Sequence, residues 1–307
     1  MAEDRYPPEI SDVVIAYDPQ TLARLPVRRE DAAAAFSPGS EPWRVVTAMA
    51  ADDAGVLDGA AVDRTLIGAH NEMQRLWEEF LHGQRVAGVL RVLIDGLRAS
   101  GHRGRIRVVD VGCGIGYVLR WMASHRVFPT SEVELVGVDY NAALVAYAQR
   151  LAEVEGLTQC RFEVGNAFAM DQPGTIIISS GVLHHFRGES LSAFFASQSR
   201  CGPEAFAHFD IQRSWLAPVG AWLFHYARMR LPLARHDGTL SAIRAHSAQA
   251  LFSAAEAGSG GMFRLLHFNR QIPWLPVIRT MHAVIGVRPE VAEALKLDGR
   301  YAWSAGR

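Results

Sequence analysis

A hydrophobic strand that runs directly into a glycine-rich turn and then into a helix constrains this chain more than any other feature. Residues 108–117 read Val-Val-Asp-Val-Gly-Cys-Gly-Ile-Gly-Tyr. Glycines at such a turn let the backbone adopt strained angles and approach a ligand closely, beside the free N–H groups of the helix start. The dinucleotide fingerprint Gly-x-Gly-x-x-Gly/Ala requires glycine or alanine at position 117, which is Tyr117 here. The loop therefore predicts a ligand site, and Tyr117 argues against an NAD-dependent oxidoreductase.

Short apolar runs alternate with helical segments from residue 106 onward. Strands that alternate with helices form a parallel sheet covered on both faces, and ligands of such sheets lie at the carboxyl ends of the strands. The sequence therefore predicts a doubly wound α/β fold. The predicted strands are Ile106–Val111, Val133–Val138, Phe162–Val164, Thr175–Ser179, Ala205–Ile211, Met262–Phe268 and Ile278–Val287, and the predicted helices between them include 117–125, 141–155, 190–200 and 237–257.

Polar residues follow three more of the predicted strands. Asp139 and Tyr140 end the second strand, where a carboxylate can accept both hydroxyls of a ribose. Residues 166–168, Asn-Ala-Phe, follow the third strand; there the polar side chain can pair with the edge of an adenine while the apolar neighbour packs on its face. The segment Ser-Gly-Val-Leu-His-His-Phe, residues 180–186, follows the fourth. Ligand-binding groups are thus predicted at four adjacent strand ends.

In this order and spacing the four elements resemble the class I S-adenosylmethionine-dependent methyltransferases, in particular the small-molecule type with a Leu-His-His-hydrophobic motif after the fourth strand. The resemblance covers roughly residues 105–211 and implies a seven-stranded Rossmann-like sheet, with S-adenosylmethionine as the cofactor. The family more often has aspartate in place of Asn166, whose amide oxygen can still accept the exocyclic amine of adenine. The residues that the resemblance assigns to the cofactor are Asp110, Gly112, Cys113, Gly114, Asp139, Tyr140, Asn166, Ala167, Phe168 and Ser180.

The adjacent His184 and His185 allow two interpretations. Because the ordinary pKa of histidine, near 6.5, suits removal of a proton from a hydroxyl or an amine, either could be the catalytic base. Alternatively, an imidazole here bonds a loop carbonyl or shapes the pocket. No metal site is predicted, since adjacent histidines seldom face one ion and no carboxylate accompanies them at a ligand spacing.

The remaining sequence is interpreted as four regions. These are an N-terminal arm (1–55), a helical lid (56–104) that Gly83 or Gly88 could divide, the methyltransferase domain (105–290) with a substrate-cap insert (213–236), and a C-terminal tail (291–307). The apolar residues of the arm follow no clear helix or strand periodicity, and no chemistry is assigned to it.

Large rings in the lid and in the insert predict a small, largely apolar or aromatic acceptor in a closed pocket. The alternative for each ring is ordinary packing in the core. The predicted substrate-binding residues are Trp77, Phe80, Trp215, Trp222, His225 and Tyr226.

Composition excludes several other chemistries. With 31 basic and 32 acidic side chains, the net charge of -1 supplies no broad positive field, so nucleic acid is not an expected partner. Lys296 is the only lysine, which excludes a P-loop and a Schiff-base site. The three cysteines are too widely spaced for a zinc knuckle or a disulfide framework. Acids at the N-terminus and the absence of an apolar run of about 20 residues predict a cytoplasmic protein without a membrane partner.

The expected function is methyl transfer from S-adenosylmethionine to a small O- or N-acceptor, by in-line SN2 displacement with at most one histidine base. Two alternatives stay open: a non-catalytic cofactor-binding module, and a methyltransferase that acts on a macromolecule. Methylation of nucleic-acid or glutamine amines usually shows an Asn/Asp-Pro-Pro-aromatic motif, whereas this chain has Ser-Gly-Val-Leu at residues 180–183. The sequence is compatible with an oligomer.

Overall fold

The computed structural model describes residues 7–170, 173–269 and 281–297, which belong to two compact units. The first unit combines the chain up to Leu76 with Arg213–Arg244, and the second combines Trp77–Gln212 with the chain from Ala245 onward. The strands are β1 Ala16–Tyr17, β2 Arg24–Leu25, β3 Ile106–Val111, β4 Val133–Asp139, β5 Cys160–Val164, β6 Ile176–Ser180, β7 Ala205–Ile211, β8 Arg264–Phe268 and β9 Met281–Val287. The helices are α1 Ile10–Val13, α2 Arg29–Ala34, α3 Glu41–Thr47, α4 Gly59–Glu79, α5 His82–Ala99, α6 Tyr117–Ser124, α7 Ala142–Val154, α8 Gly188–Arg200, α9 Ala217–Arg228, α10 Pro232–Arg244, α11 Ala248–Ser259 and α12 Pro289–Ala294, with a 3₁₀ turn at Leu183–His185.

The second unit contains a seven-stranded sheet in the order β5-β4-β3-β6-β7-β9-β8. Strands β3 to β7 run parallel, and β9 pairs antiparallel with both β7 and β8. Strands β4 and β5 lie on one side of β3 in the sheet, and β6 lies on its other side. The direction in which successive strands are added therefore reverses between β3 and β6. Ligands of open α/β sheets bind at such a switch point, outside the carboxyl ends of the strands.

Helices cover both faces of this sheet. Alternate residues of a strand point to opposite faces, and Val108 and Val109, both fully buried, lie in separate hydrophobic clusters. The cluster of Val108 includes side chains of α5, α6, α7 and α12, whereas that of Val109 includes side chains of α8 and α11. The predicted doubly wound α/β fold with seven strands is therefore confirmed.

The first unit has a hydrophobic cluster of its own, built from α1 to α4 and α10. At its centre Ile10 and Val46 are fully buried. The Asp237 carboxylate caps α1, because its two oxygens accept the backbone N–H groups of Ile10 at 2.7 Å and Ser11 at 2.9 Å. The N-terminal arm, in which the sequence shows no clear period, thus contains three short helices and the β1–β2 hairpin.

Several element boundaries differ from the predicted ones. The lid helices separate at Phe80–Leu81, where Leu81 has a φ of 53°, and not at Gly83 or Gly88. Gly83 instead allows a close contact, since a Cβ there would lie 2.5 Å from the Trp121 ring. The predicted helix 237–257 is two helices, because the Ser247 side chain accepts the N–H of Ala250 and begins α11.

The insert 213–236 contains α9 and the start of α10. The first three residues of the predicted strand Ile278–Val287 lie outside the described residues, as do residues 1–6 and 298–307. Among the helices that the structure describes, each is too short or too polar to cross a membrane.

Candidate active site

The turn after β3 places three glycines in the left-handed region. Gly112, Gly114 and Gly116 have φ values of 71°, 53° and 72°, which non-glycine residues rarely adopt. A Cβ on Gly112 would lie 2.6 Å from the Val182 side chain. The Gly112 N–H donates to the Val138 carbonyl at 2.8 Å, so the turn is tied to the end of β4. This tight turn is the one predicted from the sequence, at the switch point of the sheet.

Asp139 joins that turn to the next helix. One oxygen of its buried carboxylate accepts the Gly114 N–H at 2.9 Å, and the other accepts the Asn141 N–H at 2.9 Å. The Asn141 side chain in turn caps α7 through the N–H groups of Ala143 and Leu144. Asp139 is therefore held in place by backbone donors on both sides.

Asp110 and Cys113 lie beneath this turn as uncharged groups. Burial, and then the neighbouring charge of Asp139, raise the pKa of Asp110 to about 8, so its carboxyl is mostly protonated at neutral pH. Within the described residues, Asp110 Oδ1 has no hydrogen-bond partner. Burial and the charge of Asp139 also raise the pKa of the Cys113 thiol. The Cys113 Sγ packs closely against Gly137, since a Cβ on Gly137 would lie 2.8 Å from the sulfur. These features favour a packing role for Cys113 over a nucleophilic one.

The candidates for adenine and ribose contacts lie at the neighbouring strand ends. Asn166 Oδ1 accepts the Phe168 N–H at 2.9 Å, which folds the loop after β5. Phe168 is 36% exposed and packs its ring edge-on against Phe186, with centroids 4.9 Å apart. Ala167 is partly buried against the hydrophobic cluster under β6, and Tyr140 is exposed. The loop thus presents one exposed ring beside a polar side chain.

Ser180 ends β6 next to this loop. Its side chain is buried, and its Oγ has no hydrogen-bond partner among the residues that the structure describes. Its position at the carboxyl end of β6, beside β3, places the hydroxyl at the switch point of the sheet.

His184 is held by a residue that the sequence analysis did not identify. Its backbone N–H donates to Asp210 Oδ2 at 2.7 Å, and its Nδ1 lies 2.8 Å from Asp210 Oδ1. Asp210 is fully buried at the carboxyl end of β7. Burial would raise the pKa of Asp210, but His184 and the Ile211 N–H lower it to about 2. The ionised carboxylate accepts, so Nδ1 of His184 carries a proton and Nε2 is the basic nitrogen.

His185 lies beside His184 on the same 3₁₀ turn and is less buried. The two imidazole centroids are 4.4 Å apart, with the rings inclined by 34°. The turn follows β6 directly, as predicted. Asp210 was missed because it follows no motif; the only signal was an acid near the end of a predicted apolar strand.

Trp77 and His82 lie next to the turn after β6. The Trp77 ring is 3.3 Å from the position that a Cβ on Gly181 would occupy, and its centroid is 5.9 Å from that of Tyr117. His82 packs against Trp77 at 5.0 Å, and burial lowers its pKa to about 3. Phe80 is partly buried. Of the predicted substrate-binding residues, Trp77 therefore lies beside the site; His82 was missed because an isolated histidine at a helix start has no distinguishing pattern.

The four rings predicted in the insert do not share one environment. Trp215, Trp222 and Tyr226 are 85%, 50% and 52% exposed, whereas a ring that encloses a ligand in a closed cavity is buried. His225 is buried against Gly238 of α10 in the first unit, and burial lowers its pKa to about 4. The exposure of three of these side chains departs from the closed pocket expected from the sequence.

Comparisons with known proteins agree with this architecture. Residues 108–201 match the model of a family described as "Methyltransferase domain". Magnesium protoporphyrin IX methyltransferase (ChlM) from Synechocystis PCC 6803, crystallised with SAH, gives a TM-score of 0.50 at 15% identity, over 75% of this chain and 100% of that one. The plantazolicin methyltransferase BamL, crystallised with a triazolic desmethylPZN analog and SAH, gives a TM-score of 0.52 at 12% identity. That match covers 74% of this chain and 96% of BamL. At these identities the likeness establishes the fold.

A relative from Nitratidesulfovibrio vulgaris strain Hildenborough carries the name uncharacterized RNA methyltransferase. It is 34% identical to this chain over 73 residues. The matched part is 24% of this chain and 14% of that protein, so this chain spans about a seventh of the relative's length.

Proposed function

We propose that this chain is a class I S-adenosylmethionine-dependent methyltransferase that binds S-adenosylmethionine and transfers its methyl group to a small acceptor. The family and the fold are those predicted from the sequence. The observation that carries the proposal is the buried Asp139 carboxylate bonded to the glycine turn at the switch point of the sheet. The similar structures of ChlM and BamL were both crystallised with SAH, the product of that cofactor.

The hydrogen-bonding capacity of the site fits this cofactor. The Asp139 carboxylate accepts the N–H groups of Gly114 and Asn141, and a carboxylate at this strand end is the group type that accepts the hydroxyls of a ribose. Gly112 lets the backbone approach the methionine part closely. The protonated Asp110 and the Ser180 hydroxyl, both buried, supply further hydrogen-bonding groups there.

In the same proposal the loops after β4 and β5 hold the adenine. Asn166 contacts its edge, while Phe168, Ala167 and Tyr140 supply the apolar surface for its faces. Cys113 packs under the turn as a thiol. The exposed ring of Phe168, fixed by Phe186, supports this assignment because an aromatic face is then available for stacking.

In methyl transfer the main contribution of the protein is to orient the reactants. The bound sulfonium would supply an already activated methyl group, so the chain mainly positions the acceptor and excludes water. We assign the proton acceptor to His184 over His185. Asp210 fixes the His184 tautomer, so Nε2 can take a proton from an acceptor hydroxyl or amine while Nδ1 stays bonded to the carboxylate.

A small, apolar or aromatic acceptor is supported by Trp77 beside Gly181 and by the near-zero net charge of the chain. The competing acceptor is RNA, which the name of the N. vulgaris relative suggests. That match covers 24% of this chain and 14% of the relative. A non-catalytic cofactor-binding module is the remaining alternative.

One experiment separates these three functions. The purified chain is incubated with S-adenosylmethionine labelled in its methyl group, together with either a panel of aromatic and aliphatic hydroxyl and amine compounds or total RNA. Label in a small molecule supports the proposal, and label in RNA at a comparable rate overturns the acceptor class. Binding of SAH by calorimetry without transfer to either pool indicates a binding module.

A further inference from the structure

Helix α9 in the first unit exposes a continuous apolar face. The exposed side chains are spaced at i, i+1, i+4, i+7, i+8 and i+11, the spacing of one side of an α-helix. Each is between 50% and 85% exposed. They are Trp215, Leu216, Val219, Trp222, Leu223 and Tyr226, the first two lying just before the helix begins. A face with two tryptophans and a tyrosine in water is uncommon for a surface helix.

The opposite side of α9 is already anchored within its own unit. His225 is buried and occupies the space beside Gly238 of α10, where a Cβ would collide with its ring. Within α9 itself, the guanidinium of Arg228 lies 5.6 Å from the centroid of Phe224, one turn away. The exposed apolar face is therefore the outer side of a packed helix.

The formal charges of the segment that contains α9 have one sign. Residues 211–236 contain four arginines and no aspartate or glutamate. The guanidinium of Arg235 lies 5.0 Å from the centroid of Tyr226, at the edge of the apolar face. Glu72 accepts the backbone N–H groups of Arg230 and Leu231 beyond the end of α9. At the two ends of the segment, Asp210 accepts the N–H of Ile211, and Asp237 lies 2.9 Å from Nδ1 of His236.

We infer that α9 docks on the surface of an anionic phospholipid membrane. Amphipathic helices that lie in a membrane interface combine arginine or lysine with an apolar face of Trp, Leu and Phe. Anionic headgroups complement the arginines, and the apolar face enters the boundary between headgroups and acyl chains. At 12 residues α9 is too short to span a bilayer and lies along its surface.

The charge pattern favours this occupant over the others. Two copies of the chain that met through this face would bring arginines against arginines, which repel. An RNA backbone would use the arginines but leave the six apolar side chains in water. The inference does not depend on methyl transfer, and it revises the expectation that the chain has no membrane partner.

The test measures binding of the full chain to vesicles by co-sedimentation. Vesicles contain phosphatidylcholine alone or phosphatidylcholine with phosphatidylglycerol. The variants are Trp222→Ser/Leu223→Ser for the apolar face and Arg213→Gln/Arg230→Gln for the charges. The control is Val154→Ser, which changes an apolar residue on α7 of the other unit that is more exposed, at 81%, than Trp222 or Leu223.

We expect wild type and the control to partition about tenfold more strongly onto the anionic vesicles than onto the neutral ones. Each double variant should lose about tenfold or more of that binding. A second readout uses wild type and Trp215→Phe/Trp222→Phe, which keeps the apolar face. Doxyl-labelled lipid should quench tryptophan fluorescence in wild type and much less in this variant.

Several results would overturn the inference. These are no binding of wild type to anionic vesicles, equal binding to neutral vesicles, or unchanged binding of the Trp222→Ser/Leu223→Ser variant. A concentration-dependent dimer that this variant abolishes, without vesicle binding by wild type, would instead assign the face to a second copy. Near-ultraviolet circular dichroism identifies a variant that is not folded, and the quenching measurement on the conservative variant then decides.

Discussion

Asp210 receives two hydrogen bonds from His184, one from the backbone N–H at 2.7 Å and one from the imidazole Nδ1 at 2.8 Å. The carboxylate is fully buried at the end of β7 and remains ionised across the physiological pH range, since its pKa is lowered to about 2. One side chain thus fixes the position, the tautomer and the ring orientation of the histidine proposed as the base.

Replacing His184 should separate a base from a residue that only shapes the pocket. If His184 takes the acceptor proton, His184→Ala loses about 10²–10⁴ in kcat and flattens the acid limb of the pH profile, while the Kd for SAH barely changes. His185→Ala is the matched control, because the two rings lie 4.4 Å apart on the same turn. Near-normal turnover of both variants would leave a shaping role only.

Asp210→Asn should reduce kcat at least about tenfold, because an amide can present its N–H₂ to Nδ1 and reverse the tautomer of His184. The pKa of Asp210 is lowered from its usual value, so its ionised form contributes above about pH 4 and loses that contribution as the pH falls toward 2. The rate deficit should therefore persist from pH 5 to 9, where Asp210 stays ionised. A kcat of Asp210→Asn close to that of wild type across this range would contradict the role of Asp210.

Asp139→Ala should weaken SAH binding by about 1.5–3 kcal/mol or more, as loss of hydrogen bonds to a charged group does. The same change removes the acceptor for the N–H groups of Gly114 and Asn141, so the glycine turn loosens as well. Isothermal calorimetry with SAH measures the effect, and titration with NAD is the control ligand. Tighter binding of NAD than of SAH by wild type would contradict the cofactor assignment.

Asp110 should make the protein less stable as the pH rises. Its folded-state pKa is raised from 3.8 to about 8, so its contribution is fully present below about pH 4 and is lost as the pH rises toward 8. Urea unfolding at a series of pH values should show that Asp110→Asn gains at least about 1 kcal/mol relative to wild type between pH 5 and pH 9. An unchanged difference over this range would mean that Asp110 is ionised in the folded protein.

Gly112→Ala should cost about 1–3 kcal/mol of stability and abolish SAH binding, because the new Cβ meets Val182 at a left-handed φ of 71°. Gly156→Ala is the control for backbone strain alone, since Gly156 has a φ of 69° and open space around its Cβ position. Thermal unfolding and calorimetry together measure both effects. If the two variants lost equal stability and Gly112→Ala still bound SAH, position 112 would not need glycine for close contact with Val182 or with the cofactor.

The parts of the fold that local pattern encodes were predictable. The alternation of apolar runs and helices gave the sheet, and the Asn141 cap and the glycine turn follow from short-range chemistry. The contents of the N-terminal arm were not predictable, because α1 depends on a cap from Asp237, more than two hundred positions away. Asp210 was missed for the same reason: its significance comes from a long-range contact with His184 that no local motif encodes.

The place of β9 in the sheet has a consequence for biosynthesis. This strand is buried along its whole length and separates β7 from β8, although it follows both of them in the sequence. While a ribosome has released only the residues before Met281, the hydrogen-bonding edge of β7 has no partner strand, and β8 has none either. Such an edge pairs readily with other chains. Synthesis of β9 therefore ends the interval in which these strand edges are exposed to aggregation, and stop codons upstream of residue 281 should yield insoluble products.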